Sequence, residues 1–265
     1  MGEIRPVAEV DWDSFVDKSE NGTVFCKTQW IKLFEEPKLY GYYKGDNLIG
    51  GTCDTGLKPI TPFQGILVNP PEGMKYHNVI SLHNEVSEAL MDVLPDQFYN
   101  HYTFTDMRPF QWANWGIKVK YTYVVHPDWD NLEKDTRNAI RQSGIEVIRS
   151  DDIEMFDSLY EYTFSHKGLQ RTAGTELLLG VYNSLNAELY MASDYSAGVM
   201  LINDNKRYYY ILGASTSQNT TCSVLWEAIK DKHEIDFVGC NDKNIAHYKK
   251  GFGGKLVPYF GLVRL

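Results

Sequence analysis

The residues near the C-terminus whose types and positions suit chemistry are Asp236, Asn241 and Tyr248. Asp236 lies in the apolar run of residues 235–239, which is typical of a buried strand. Burial disfavours the charged form of a carboxyl group, so its proton affinity should rise into the range that suits a general base. In the alternative interpretations, strand alternation aims Asp236 outward or a lysine pairs with it.

Asn241 follows the same strand, at the end where α/β sheets usually open their ligand crevice. An amide at this place would orient a carbonyl group of a substrate. The alternative is a turn or a helix cap, because Asn241 and Asp242 directly precede a helical pattern. Asp242 itself is predicted to be a cap rather than a base.

Four basic residues form two candidate anion sites. Lys167 and Arg171 lie in a loop between two predicted helices, where they would bind a phosphate or carboxylate, Arg171 by a two-point contact. Arg137 and Arg141 lie one helical turn apart and share a face. A solvated loop and a solvated helix face are the alternatives.

The aromatic cluster Phe110-Gln-Trp-Ala-Asn-Trp115 combines apolar rings with few polar groups. Trp112 at its centre would form one wall of a ligand pocket. The cluster is equally suited to an interface that joins two halves of the chain, and that interpretation is slightly favoured.

Several classes of protein are disfavoured by composition. The four cysteines lack CxxC spacing, and the seven histidines show no HExxH pattern, so no metal site or disulfide framework is expected. No Gly-x-Ser-x-Gly motif marks a serine hydrolase. A net charge of −9 disfavours sequence-independent binding to DNA or RNA, because phosphate backbones reward clustered Lys and Arg.

Apolar runs in the sequence are much shorter than the roughly 20 residues of a membrane-spanning helix. The first residues also lack the basic and apolar segments of a secretory signal. A soluble, cytoplasmic protein is therefore expected, with its oligomeric state left open.

The chain is predicted to be an α/β protein of two halves, residues 1–125 and 126–265, each with a mixed, largely antiparallel sheet flanked by helices. The boundary is placed at His126-Pro-Asp-Trp-Asp130. A helix capped at Asp130 or Asn131 should run to Gly144, a natural C′ residue. Further helices are predicted at residues 25–35, 86–94, 153–165, 175–185, 223–232 and 245–250. Strands are predicted at residues 39–44, 48–55, 65–68, 102–105, 145–149, 187–193, 197–203, 206–214, 235–239 and 256–265.

The order of elements resembles the GNAT superfamily of acyltransferases, and more closely its double-domain FemAB/FemX-like branch. The best local match is Asn244-Ile-Ala-His-Tyr-Lys-Lys-Gly-Phe-Gly-Gly254, which is similar to a GNAT stretch with Asn, Ala and Tyr before Gly-Phe. Asp106-Met-Arg-Pro-Phe110 and Arg137-Asn-Ala-Ile-Arg141 follow the FemAB-like order. The resemblance covers nearly the whole chain and implies two tandem GNAT-like domains, with the active site in residues 126–265.

Transfer of an acyl or aminoacyl group to an amine is what this resemblance implies, the acceptor being an amino sugar, an amino acid or a cell-envelope precursor. The donor would be acyl-CoA, as in GNAT enzymes, or aminoacyl-tRNA, as in FemAB-type peptidoglycan-bridge enzymes. The acidic charge and the lack of a long helical-arm insertion count against tRNA. No metal is implied.

Tyr248 resembles the GNAT tyrosine that protonates a departing thiolate. Its alternative is an aromatic core residue with a satisfied hydroxyl. The loop with Lys167 and Arg171 corresponds to one that borders the acceptor pocket in GNAT-like folds.

The GNAT pyrophosphate loop would fall at Gly213, Ala214, Ser215 and Thr216, where one glycine and small residues remain. A helix N-terminus behind such residues can still receive an anion through its free N–H groups. Loss of the typical loop also keeps open a third possibility, a catalytically degenerate GNAT-like module that binds a ligand.

Overall fold

The computed structural model describes residues 2–265, apart from the side chain of Gln218. It divides into two compact units. One unit runs to Lys120 and also contains Pro258–Leu265, and the other is Tyr121–Val257. The predicted mixed α/β class, with helices flanking the sheets, is confirmed.

The first unit contains a four-stranded antiparallel sheet in the order of its sequence. Its strands are β1 (Glu3–Pro6), β2 (Leu39–Lys44), β3 (Asn47–Cys53) and β4 (Leu67–Val68), and a fifth strand, β5 (Gln97–Tyr99), lies outside this sheet. Its helices are α1 (Glu9–Lys18), α2 (Thr28–Ile31), α3 (Tyr76–Leu90) and α4 (Arg108–Trp112).

A long strand, β6 (Trp115–Val125), carries the chain from the first unit into the second. The second unit adds helices α5 (Lys134–Ser143), α6 (Ile153–Ser165), α7 (Thr175–Ser184), α8 (Gln218–Ile229) and α9 (Lys243–Lys250). Its strands are β7 (Val147–Ser150), β8 (Glu188–Ala192), β9 (Ala197–Asn203), β10 (Tyr208–Ser215) and β11 (Ile235–Asp236), followed by β12 (Lys255–Arg264), which returns to the first unit.

The sheet of the second unit has the order β6-β11-β10-β9-β8-β7. Its neighbours pair antiparallel except for β10 and β11, which pair in parallel. The parallel pairing of β10 and β11 follows from the helix between them. Helix α8 carries the chain back to the end of the sheet where β10 begins, so β11 runs in the same direction as β10. Among residues 2–265, none of the helices combines the length and apolar character needed to cross a membrane.

In the first unit the helix predicted at residues 25–35 is wrong. The segment forms a single 3-10 turn, Val24–Cys26, followed by the short helix α2. Asp13 of α1 fixes the start of α2, since its carboxylate accepts hydrogen bonds from the N–H and hydroxyl of Thr28 at 2.9 and 2.7 Å. A distant side chain therefore decides this boundary.

The strand predicted at residues 102–105 is also wrong. The backbone turns there, because the N–H of Phe104 donates to the carbonyl of His101 at 2.9 Å. Phe104 is completely buried and stacks on His83. The aromatic alternation at residues 102–105 thus belongs to a buried turn. The strand of this region is β5, which comes before it in the chain. The helix predicted at residues 86–94 begins ten residues earlier, at Tyr76. The sequence pattern missed the first turns because they face solvent and lack apolar periodicity.

In the second unit the helix expected after Asp130 or Asn131 begins later, at Lys134. Residues Trp129–Asn131 form a 3-10 turn, which Asp128 caps by accepting a hydrogen bond from the N–H of Asp130. The predicted end at Gly144 is confirmed, since Gly144 has a left-handed φ of 57°. The predicted helix at residues 153–165 and the strand at residues 197–203 are confirmed to the residue.

The glycines of Gly251-Phe-Gly-Gly254 have a packing role. A Cβ at Gly251 would collide with the Thr136 hydroxyl of α5, and one at Gly253 with the backbone carbonyl of Asn131. Gly253 also has a left-handed φ of 73°. This glycine-rich motif therefore lets the chain after α9 lie directly against the start of α5.

Gly253→Ala should destabilise the protein by about 3 kcal/mol, since it adds a backbone collision to the cost of a left-handed φ. Gly144→Ala is the matched control, because Gly144 has a similar φ of 57° but no atom lies within 4 Å of a Cβ built there. The control should cost about 1 kcal/mol. Urea unfolding of both variants measures the difference, and equal losses would contradict the packing role of Gly253.

Candidate functional site

The parallel pair β10 and β11 is bonded at one end only. Tyr208 pairs with Ile235 and Tyr209 with Asp236, after which β11 ends while β10 continues to Ser215. A bulge between Tyr210 and Leu212 also interrupts the pairing of β10 with β9. The remaining edge of β10 has no strand partner on the β11 side within residues 2–265. The strands thus part at their carboxyl ends, where α/β sheets usually bind ligands.

Two tyrosines lie where the strands part. The hydroxyl of Tyr248, on α9, interacts with that of Tyr210, on β10, and lies 3.5 Å from the carbonyl oxygen of Thr221. Tyr248 packs edge-on against Phe252, and Tyr210 against Phe237. Burial raises the pKa of both hydroxyls above the ordinary value. Both are protonated at neutral pH, as a tyrosine at its ordinary pKa also is.

Tyr210 is a residue that the sequence patterns did not single out. It reads as one of three consecutive tyrosines in a strand, and its position depends on the bulge in β10. A Cβ on Gly213 would collide with the Tyr210 hydroxyl. Gly213 therefore provides the space that lets this hydroxyl reach Tyr248, which is a different role from the predicted contact with a phosphate.

The predicted phosphate loop needs a correction. Gly213, Ala214 and Ser215 are the last residues of β10, and the side chain of Ala214 is buried. Helix α8 begins at Gln218, five residues before the predicted start, so the connection is a short turn. Thr216 lies in that turn, exposed, with its N–H bonded to the carbonyl of Ser196 at 2.9 Å.

Asp236 is completely buried. One carboxylate oxygen, Oδ1, accepts hydrogen bonds from the Thr122 hydroxyl at 2.5 Å and the Val238 N–H at 2.8 Å. The other, Oδ2, has no partner within the described residues. Burial raises the pKa of this carboxyl to about 6, against the opposing effect of the two hydrogen bonds. The predicted rise in proton affinity is therefore present, while the role as general base stays a prediction.

Lys249 is the most unusual side chain of the site, and the sequence showed it only as part of a motif. It is 7% exposed. Its ammonium donates hydrogen bonds to the carbonyls of Phe237, Val238 and Gly239, the last two at 2.8 and 2.7 Å. Burial lowers its pKa to about 8, and the nearby Asp236 carboxylate opposes this shift. The strand predicted at residues 235–239 is therefore cut short, because its last residues wrap around Lys249.

Asn241 is exposed and bonded to the sheet. Its side-chain oxygen accepts a hydrogen bond from the Tyr121 N–H of β6 at 2.9 Å, and its amide nitrogen has no bond to the protein within residues 2–265. Asp242 caps α9 as predicted, since its carboxylate accepts hydrogen bonds from the N–H groups of Asn244 and Ile245. Orientation of a substrate carbonyl by Asn241 stays a prediction.

Arg171, in one of the two predicted anion sites, is occupied by carboxylates of the protein itself. Arg171 pairs with Asp157, lies 3.3 Å from Glu161, and stacks over the ring of Tyr160. Its neighbour Lys167 is exposed beside the left-handed Gly168. Arg171 therefore fastens the loop between α6 and α7 by intramolecular bonds.

Arg137 and Arg141 make contacts within the second unit, and their role as an anion site stays a prediction. The Arg137 guanidinium donates to the carbonyl of Asp130 at 3.0 Å, and Arg141 stacks over the Trp129 ring at 5.3 Å. In the first unit, Trp112 is 66% exposed, and Arg108 lies over its ring. These residues are not brought together with Tyr248.

The chain matches no protein-family model and no curated protein. Solved structures do match. FemX has a TM-score of 0.68 at 14% identity, over 97% of this chain and 96% of that one. A GNAT-family acetyltransferase from Colwellia psychrerythraea has a TM-score of 0.58 at 11% identity, over 98% of both chains. L-PGS from Bacillus licheniformis has a TM-score of 0.54 at 8% identity, over 98% and 93%. The predicted GNAT-like, FemX-like fold is thereby confirmed.

Asp236→Asn should change how stability responds to pH. The folded pKa of about 6 exceeds the ordinary 3.8, so the folded wild type binds more protons than the unfolded chain between these values. Acidification from pH 7 to pH 4 should therefore stabilise the wild type relative to the variant, by about 2 kcal/mol. The amide keeps an acceptor for Thr122 and Val238.

Chemical denaturation of both proteins across this pH range measures the difference in unfolding free energy. Asp231→Asn, the same change at an exposed position, is the control. A difference between wild type and Asp236→Asn that stays constant from pH 4 to pH 7 would contradict the buried, desolvated state of Asp236.

Proposed function

We propose that this chain is an N-acyltransferase that moves an acyl group from an activated donor, acyl-CoA in the first place, to an amine. The acceptor would be an amino sugar, an amino acid or a cell-envelope precursor. The reaction would take place in the second unit, where β10 and β11 part.

The observation that carries this proposal is the pair of protonated hydroxyls, Tyr248 and Tyr210, at the carboxyl end of the parting strands. In transfer from a thioester, the amine nitrogen forms a bond to the carbonyl carbon and the carbon–sulfur bond breaks. The amine loses one proton and the thiolate gains one. Tyr248 is protonated at neutral pH, and its hydroxyl would supply the thiolate proton and recover it from the amine through water.

Donor binding is supported by the turn after β10. Helix α8 has twelve residues, and its cap residue Ser217 makes no side-chain cap bond. The first N–H groups of such a helix attract phosphate through their free donors and the helix dipole. A pyrophosphate held here would lie next to the strand end that carries Gly213 and, beside it, the Tyr210 hydroxyl.

Likeness to FemX and to a GNAT-family acetyltransferase supports an acyl-transfer reaction by analogy of fold. An aminoacyl-tRNA donor remains the first rival to acyl-CoA. A ligand-binding module without catalysis is the second candidate function. It is favoured by one observation, the short turn of Thr216 and Ser217 in place of a longer phosphate loop.

Thermal unfolding with acetyl-CoA, CoA and acetylated 3′-amino-3′-deoxyadenosine tests the donor. A ligand that binds only the folded state raises the melting temperature, by an amount that grows with its concentration above Kd. We expect acetyl-CoA to stabilise the protein. If only the acylated nucleoside stabilises the protein, the donor is of the tRNA type and not acyl-CoA. If none of the three ligands raises the melting temperature, the result contradicts the proposed transfer reaction.

Tyr248→Phe should lower kcat by about 100-fold, because proton transfer by a positioned side chain contributes on that order. The measurement is the release of free CoA thiol from acetyl-CoA with a panel of amines. Tyr208→Phe, at the opposite end of β10, is the matched control and should keep wild-type activity. Full activity of Tyr248→Phe would remove the proton-donor role, and binding of acetyl-CoA without turnover for any amine would favour the binding module.

A further inference from the structure

The last residues of β10 direct their backbone groups alternately to the two sides of the strand, as neighbours in an antiparallel ladder do. The N–H of Thr216 donates to the carbonyl of Ser196 at 2.9 Å, on the side of β9. The pairing with β9 has no shift from Leu212 to Ser215. The N–H and carbonyl groups of Gly213 and Ser215 therefore point to the other side, where β11 has ended.

Ser215 has a partner on that side, and this partner belongs to a helix. The N–H of Ser215 donates to the hydroxyl of Thr163, on α6, at 3.0 Å, and the same hydroxyl lies 3.3 Å from the Ser215 carbonyl oxygen. The hydroxyl also donates to the carbonyl of Leu159, one turn earlier on α6, at 2.8 Å. Thr163 thus takes the place beside Ser215 that the next strand of a sheet would take.

Gly213 keeps the corresponding place open. Neither its N–H nor its carbonyl has a hydrogen-bond partner on the β11 side within residues 2–265, since the pairing with β11 ends at Tyr209. Gly213 is half-buried. The open edge of β10 therefore offers one free pairing position, which lies between the end of the β11 pairing and the Thr163 hydroxyl.

An unpaired strand edge binds extended chains that carry amides, because such chains complete the main-chain hydrogen bonds of the sheet. Acyl-CoA contains a chain of this kind, the arm between its thioester and its pyrophosphate, which holds two amides. An arm with two amides could pair with an edge in more than one register. The number of free positions on the edge decides whether it does.

A change of register would place the thioester away from the tyrosines. Moving the pairing from Gly213 to Ser215 shifts the arm by two residues of β10, about 6.8 Å. The shift is toward α8 and away from the Tyr210 hydroxyl, which lies beside Gly213. Proton transfer from a tyrosine requires a hydrogen-bond distance of about 3 Å. A donor bound in the shifted register would therefore not react.

We propose that Thr163 is a positioning residue that fixes the register of the donor arm. By bonding to Ser215, its hydroxyl leaves Gly213 as the pairing position of the open edge, and the thioester is held near Tyr210 and Tyr248. The proposal rests on the proposed transfer reaction with acyl-CoA as donor. It adds no chemical step, because the hydroxyl excludes one mode of binding and does not touch the reacting atoms.

Thr163→Val keeps the shape of the side chain, removes its hydroxyl and opens the second pairing position. A register that binds without reacting lowers kcat and KM by the same factor, about twofold if both registers are equally populated, and leaves kcat/KM unchanged. Steady-state kinetics with acetyl-CoA measures all three. Thr163→Ser, which keeps the hydroxyl, should restore the wild-type values.

Ser158→Ala is the matched control for this variant. The Ser158 hydroxyl also bonds to a carbonyl one turn earlier on α6, at 3.0 Å, but it is exposed. The control should keep the wild-type kcat and KM. A fall in kcat/KM of Thr163→Val would show that the hydroxyl has a structural role alone, and unchanged kcat and KM would show that it has no role. Either result overturns the inference.

Amide hydrogen exchange of the ¹⁵N-labelled protein tests the pairing directly. Without ligand, the Ser215 amide should exchange at least about tenfold more slowly than that of Gly213, and Thr163→Val should remove this difference. Acetyl-CoA should slow exchange at Gly213 in the wild type, and at both residues in the variant. ADP, which has the pyrophosphate but no arm, is the matched probe and should slow neither.

The wild type alone can overturn the inference, even if Thr163→Val does not fold. Acetyl-CoA that raises the melting temperature without slowing exchange at Gly213 would do so and leave the proposed function standing. If acetyl-CoA neither binds nor reacts, acyl-CoA is not the donor, and the inference fails together with that part of the proposed function.

Discussion

The site of the second unit depends on the hydrogen bonds from the Lys249 ammonium to three consecutive carbonyls. A buried ammonium without partners would be strongly destabilising, so α9 is stable only where the carbonyls of Phe237, Val238 and Gly239 converge. The backbone of residues 237–239 depends on the ammonium in turn, because Val238 has a positive φ, which costs about 1–3 kcal/mol. Helix α9 and the end of β11 therefore fix each other's positions, and Tyr248 takes its place as the neighbour of Lys249.

Asp236 completes this arrangement through its charge. The pKa is about 6 for Asp236 and about 8 for Lys249, so both buried groups are charged between pH 6 and pH 8 and attract each other. Their opposite charges offset part of the cost of burying either one. The Asp236 carboxylate also accepts a hydrogen bond from the Val238 N–H. Asp236 therefore stabilises both the charge of Lys249 and the backbone that surrounds it.

One of the four basic residues predicted to bind an anion, Arg171, is paired with carboxylates inside the protein. Arg171 fastens the loop between α6 and α7, and Arg141 covers Trp129. The proposed site would instead offer a substrate neutral groups, namely two protonated tyrosine hydroxyls and the N–H groups at the start of α8. Such a site would distinguish substrates by the position of their carbonyl and phosphate oxygens more than by their net charge.

The sequence by itself determined the mixed α/β class, the GNAT-like and FemX-like fold and the helices and strands with strong periodic patterns. Residues 153–165 and 197–203 are examples, because their apolar positions repeat with the period of the element they form. The apolar run of residues 235–239 also favoured a buried Asp236, and the structure chose this over the outward-facing alternative. Boundaries set by distant side chains could not be found in this way, as the start of α2 at Thr28 depends on Asp13.

Only the tertiary structure decided the arrangement of the candidate site. Lys249 was an ordinary member of a motif until the fold brought three carbonyls to its ammonium, and Tyr210 was one of three tyrosines until a bulge and Gly213 gave its hydroxyl space. Arg171 was a free cation in the sequence and is ion-paired with Asp157 in the structure. The physical reason is common to all: periodicity reports which face of an element is buried, whereas hydrogen-bond partners and backbone direction depend on residues far apart along the chain.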